Sequence, residues 1–201
     1  MITLDYIDSK YDHLPLTEFV ERVGQLFTTS TTSFEKFERL QTFQEPELPS
    51  YSAWMAGRKR ESQQLYFSTT PSSAEMYRNA AKRQISATRV RVVERPFTSY
   101  LEWEMMTYQQ TAKFGERILI CDISESKHSN AAIEAGHDFL VFDQKHVFVN
   151  DYGTEGIFAG GWYVSDPMDI ESYNQLFSMA RVNSILLGEY ELLHGIAATV
   201  W

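Results

Sequence analysis

Residues 87–122 constrain the fold more than any other part of the chain. Val90, Val92 and Val93 are β-branched and predict a strand over 87–93. Arg89 and Arg91 alternate with the valines, so both project from one strand face. Pro96 breaks the strand, and Thr98 or Ser99 caps a helix over 100–110, where Ser99 with Glu102 fits a capping box. A turn through Gly115 leads to RILICD at 117–122, an apolar run that predicts a buried strand. Strand, helix and strand in this order predict a parallel crossover.

The remaining segments add elements around that unit. Apolar residues at helical spacing predict a helix over 17–27, with Thr17 as its N-cap. Phe34, Phe37 and Leu40 predict a second short helix over 33–42, and Pro46 and Pro49 make 44–52 a loop. A helix over 69–84 carries Pro71 near its first turn, and a short helix is expected at 131–135. Strands over 138–142 and 146–150 flank Asp143-Gln144-Lys145 and predict a hairpin. A strand over 158–164 contains Gly160-Gly161, which marks a bulge or a close backbone approach. Asp166-Pro167 opens a final helix over 168–187. The expected class is α/β or α+β, a mixed sheet of about five strands flanked by helices. The expected division is an N-terminal helical arm over 1–68, a main domain over 69–187 and an apolar tail over 188–201.

At 201 residues and 43% hydrophobic composition the chain can bury a core of ordinary size. Its net charge of −9 opposes nucleic acid, yet nine of the 18 basic residues fall within 58–95. That span carries +6 and the rest of the chain −15, an asymmetry that suits an anionic partner or internal docking. The lone Cys121 rules out a disulfide within the chain, and no apolar run approaches the ~20 residues of a membrane span. The expectation is a cytoplasmic protein with no membrane association.

Several constellations could carry function. Arg89 and Arg91, with Tyr100 and Trp103, form a candidate ligand-binding group for a phosphate or carboxylate. The alternative is an exposed edge face, or ion pairing of these arginines with Glu102, Glu104 or Glu116. Glu94, Glu104, Glu116 and Asp143 are candidate catalytic acids, because strand ends collect sites and converging carboxylates shift one another's pKa. Arg58, Lys59, Arg60, Lys82 and Arg83 are candidate nucleic-acid contacts. His13, His128, His137, His146 and His194 show no metal-ligand spacing, so neither a metal nor a cofactor is expected. No glycine-rich phosphate loop and no nucleophile motif is present.

RVRVVERPFTSYLEWE at 89–104, FGE at 114–116, DFLVFD at 138–143 and the Asp-Pro helix at 166–180 together resemble an actinobacterial family, the domain of unknown function 6879. Members of that family often lie in gene neighbourhoods beside small helix-turn-helix regulators. The stretch at 123–137 is longer than the family pattern implies. More distantly, residues 138–177 resemble the second part of a phospholipase-D-like half. Here His137 is followed by Asp138 and Phe139, so that superfamily's His-x-Lys pair is missing. The resemblance implies a non-catalytic regulatory or interaction protein with a protein partner. The alternatives are a small enzyme or binding protein for an anionic ligand, and a nucleic-acid-handling protein that works through 58–95.

Overall fold

A computed structural model describes residues 2–68, 73–124 and 130–195. In chain order the elements are α1 (Leu4–Lys10), β1 (His13–Pro15), α2 (Leu16–Thr29), β2 (Ser33–Glu38), α3 (Pro49–Met55), α4 (Lys59–Ser68), α5 (Ser73–Lys82) and β3 (Ser86–Val93). They continue with α6 (Ser99–Lys113), β4 (Arg117–Asp122), α7 (Ala131–Glu134), β5 (Phe139–Phe142), β6 (His146–Asp151), β7 (Gly160–Val164), α8 (Pro167–Val182), β8 (Ile185–Leu186) and α9 (Leu187–His194).

The strands form one open mixed sheet in the order β1-β7-β6-β5-β2-β3-β4-β8. Its centre is parallel, β2 to β3 to β4, and every other pairing is antiparallel. The expected crossover is present as β3-α6-β4. Thr98 caps α6, its Oγ1 accepting from the Leu101 amide at 3.1 Å. The expected hairpin is β5-β6, turning through Asp143 and Gln144 at φ 52° and 58°. Asp166 caps α8 by accepting from the Met168 and Asp169 amides.

Helices cover both sheet faces. On one face Tyr173, Phe177 and Ala180 of α8, Ile133 of α7 and Ile7 of α1 pack on Phe37, Val90, Val92, Val141 and Val149. The opposite face carries an apolar cluster beneath α2, with Phe19, Phe34, Phe142 and Phe148. A second apolar cluster on that face lies beneath α6 and α9, with Val93, Leu101, Ile118, Ile120 and Tyr190. The charged side chains described below lie between these two.

The sheet has eight strands, not about five. The three that were missed are β1, β2 and β8. Residues 33–42 were expected to be helical, and residues 33–38 form β2 instead. Phe34 and Phe37 sit in the cores of opposite sheet faces. A central strand buried on both faces shows no polar alternation, so a three-residue aromatic spacing imitates a helix. The first 68 residues, expected as a helical arm, supply β1 and β2 as well as α1 to α4. The final helix ends at Val182 rather than at about 187, and β8 and α9 follow it. The loop expected over 44–52 gives way to α3 from Pro49, which occupies the first turn. Pro71 and the tail beyond Gly195 lie outside the described residues. No helix among the described residues is long and apolar enough to cross a membrane.

Gly160-Gly161 marks a close backbone approach. A Cβ at Gly161 would lie 1.9 Å from the Val149 carbonyl oxygen, and the residue sits at φ 153°. Gly161→Ala is therefore expected to destabilise the protein by several kcal/mol, on the order of the largest single-site effects. Gly24 lies on the exposed side of α2 with open space where a Cβ would go. Gly24→Ala should stabilise by about 0.5–1 kcal/mol. Urea titration of both variants against wild type checks the contrast.

Candidate functional site

Strand alternation and register bring the charges together. Lys36 and Glu38 of β2 point to the same face as Arg89 and Arg91 of β3, and the pairs Lys36 with Arg89 and Glu38 with Arg91 are direct register partners. Tyr100, Glu104 and Tyr108 recur every fourth residue on α6, so one stripe of that helix lies over the charged strands. Glu116 enters from the residue before β4. All these side chains except Lys36 are buried, and Arg91 is 0% exposed.

Arg89 is fully engaged. Its Nε donates to Glu116 Oε1 at 2.7 Å, its Nη1 to both Glu38 oxygens at 2.8 Å and its Nη2 to the Tyr77 hydroxyl at 3.4 Å. Tyr108 donates to Glu38 Oε2 at 2.6 Å, and Lys36 Nζ lies 2.5 Å from Glu38 Oε1. Arg91 Nη2 donates to the Leu40 carbonyl. Asp138 holds the backbone there, accepting from the Arg39 and Leu40 amides at 2.7 and 3.1 Å and from the Tyr152 hydroxyl at 2.9 Å.

The Arg91–Glu104 contact differs in kind. Nε and Glu104 Oε2 are 2.7 Å apart, but the N–H is turned off the line between them, so this is an ion contact without a hydrogen bond. Arg91 Nη1, Glu104 Oε2 and Glu116 Oε2 have no hydrogen-bond partner among the described residues. The same holds for the indole N–H groups of Trp54 and Trp103 and for the Ser62 hydroxyl. The two tryptophans belong to an aromatic wall with Tyr51 and Tyr100, joined to the charges through the 3.0 Å hydrogen bond from Tyr100 to Glu104.

Burial and opposite charge compete at each carboxyl. Burial works to raise Glu38, but Arg89, Lys36 and Arg91 outweigh it and hold that carboxyl well below its usual range. At Glu104 burial wins over Arg91, with Glu38 adding repulsion, and the carboxyl is raised. Glu45, half-buried at the edge of the cluster, is pushed up to about 7 by burial, opposed by Lys36 and reinforced by Glu104 and Glu38. The hydroxyls of Tyr77, Tyr100 and Tyr108 are all raised, chiefly by burial, and stay protonated as donors.

Of the candidates read from sequence, Arg89, Arg91, Tyr100, Glu104 and Glu116 come together here, and Trp103 stands beside them. Glu94 is exposed and pairs with Arg39. Asp143 is remote, at the β5-β6 turn, where it accepts from the amides of Thr31, Thr32 and Ser33. Arg58 pairs with Glu61 and Lys59 with Glu102, each at 2.8 Å, while Arg83 donates to the carbonyls of Phe27 and Ser30. Arg60 and Lys82 are exposed. His128 lies outside the described residues, and His13, His137 and His146 pair with Asp151, Tyr173 and Tyr163. No group of potential metal ligands occurs among the described residues. Sequence reasoning missed Lys36, Glu38, Glu45, Tyr77 and Asp138. The spacing of Lys36 and Glu38, the same as that of Arg89 and Arg91, was the available signal for the first two.

Arg91→Met leaves Glu104 buried without its cation and is expected to cost about 3–5 kcal/mol. Combining it with Glu104→Leu should recover much of that loss, a coupling that a double-mutant cycle in urea measures. Glu45 titrates at about 7 when folded against an ordinary 4.5. The raised carboxyl favours the folded state below pH 4.5, and that contribution is lost as pH rises to about 7. Glu45→Gln should therefore gain stability relative to wild type across that window, by about 1–2 kcal/mol after solvent screening. Thermal melts of both proteins from pH 4 to 8 read the difference.

None of the curated proteins matches the chain. A family model does, over residues 21–192, which takes in every residue of the charged cluster. The chain therefore belongs to the family described as domain of unknown function (DUF6879).

Proposed function

We propose that the protein is a non-catalytic regulatory module that takes a small polar molecule at the junction of the charged cluster and the aromatic wall. The observation that carries this reading is a set of buried polar atoms without hydrogen-bond partners along the cluster and the wall: Arg91 Nη1, the indoles of Trp54 and Trp103, and Glu116 Oε2, beside Glu104 Oε2, which has only its ion contact with Arg91. Buried polar groups are nearly always paired, so orphans of both kinds suit a ligand that both donates and accepts. All three Arg89 nitrogens hydrogen-bond to the protein itself, and Glu104 and Glu45 are already raised. Both facts favour an uncharged or zwitterionic ligand over a simple anion. Lys36 and Glu45 are the partly buried members of the cluster.

Output to a helix-turn-helix regulator or another protein is inferred from the family's gene neighbourhoods. The likeness to a phospholipase-D-like half rests on the residue pattern of 138–177 alone.

Native mass spectrometry of the gently purified protein tests the proposal. Wild type should carry a stoichiometric small-molecule adduct, and a Trp54→Phe/Trp103→Phe variant, which keeps ring packing but removes both N–H donors, should lose it. Two results would overturn the reading: a wild type free of adduct that also gains no thermal stability from amino acids or nucleosides, or an adduct that the variant retains.

A further inference from the structure

The opposite face of the sheet holds a separate cavity of about 240 Å³ between α7 and α8. Its position follows from Gly136. A Cβ there would come 2.9 Å from Phe37 Cε1, so only glycine lets the end of α7 settle onto β2 and bring His137 against α8. Ile2, Ala132, Leu176 and Met179 supply apolar wall, His137 and Tyr173 supply buried or half-buried polar groups, and the exposed Gln175 supplies a further amide. Ser172 is at the exposed rim.

The lining chemistry selects the occupant. No Asp, Glu, Lys or Arg lines the cavity. His137 Nε2 lies 3.2 Å from the Tyr173 hydroxyl. Burial lowers His137 to about 4, and burial likewise raises Tyr173, so both are uncharged near neutral pH. A neutral imidazole joined to a hydroxyl keeps one donor and one acceptor capacity for a third group. A charged ligand would lose part of its hydration with no counter-charge among the lining side chains to meet. The volume equals that of about eight water molecules, enough for a single ring with short substituents and below the usual range for drug-sized ligands.

We propose that this cavity is a binding site for an uncharged single-ring molecule bearing one hydroxyl or comparable group, held by His137 and Tyr173 and walled by Leu176 and Met179. The site is independent of the charged cluster.

Isothermal titration of the full chain with p-cresol, benzoate and benzylamine tests it. p-Cresol should bind, and both charged analogues should bind at least about tenfold more weakly. Ser172→Trp at the exposed rim and Ala132→Phe in the wall should each abolish p-cresol binding. His137→Phe should weaken it about tenfold, the loss of one neutral hydrogen bond. Trp54→Phe/Trp103→Phe should leave it unchanged, which separates this site from the other. The proposal is overturned if wild type does not bind p-cresol, if benzoate or benzylamine binds equally well, or if Ser172→Trp, folded by circular dichroism, binds p-cresol like wild type.

Discussion

The fold is organised around the burial of two arginines on one strand. A guanidinium taken out of water costs several kcal/mol unless carboxylates meet it, so Arg89 and Arg91 dictate what must stand opposite. Glu38 has to come from the neighbouring strand, Glu104 from the helix above and Glu116 from the approach to the next strand. Those three requirements set the register of β2 on β3, the rotation of α6 and the start of β4. A one-residue slip of β2 would send Lys36 and Glu38 to the apolar face and leave Arg89 short of a counter-charge. The network's contribution is therefore larger as a specification of pairing than as net stability, because an apolar replacement of similar volume could be equally stable.

The two sheet faces divide the work. One is largely apolar under α8, with the His137 cavity at one side and Glu35 and Thr88 buried among its aliphatic and aromatic residues. The other places phenylalanines at one end and aliphatic residues at the other, with the ions between them. Those flanking clusters keep water from the ions, which strengthens each ion pair and also makes each unpartnered polar atom more costly. Asp138 extends the same logic to the chain after β2. By holding the Arg39 and Leu40 amides it fixes the carbonyl that Arg91 needs.

Local signals carried much of this into the sequence. The β3-α6-β4 unit, the β5-β6 hairpin, the Asp166 cap and the glycine pair were legible because valine alternation, turn residues and capping side chains act over a few residues. β2 was not legible, since its two phenylalanines serve two different cores and their spacing mimics a helical face. β1 and β8, at three and two residues, are too short to show any period. The same misreading hid half the site: Arg89, Arg91, Glu104 and Glu116 stood out, while Glu38 and Lys36 sat in a segment taken for a helix. Glu45 and Asp138 reach the cluster through loops, and nothing local marks a loop side chain for burial.

The shortness of β1 and β8 has a consequence for how copies of this protein can meet. These are the two outer strands, and a sheet of eight would ordinarily present rows of unsatisfied amides and carbonyls at both borders. Here one border ends in Pro15, which has no N–H to offer, and α2 begins at the next residue. At the other border α9 begins directly after Leu186. Each outermost strand is too short to template a strand of ordinary length. The perimeter of the sheet thus offers little backbone to an added strand, which disfavours growth of the ladder from copy to copy.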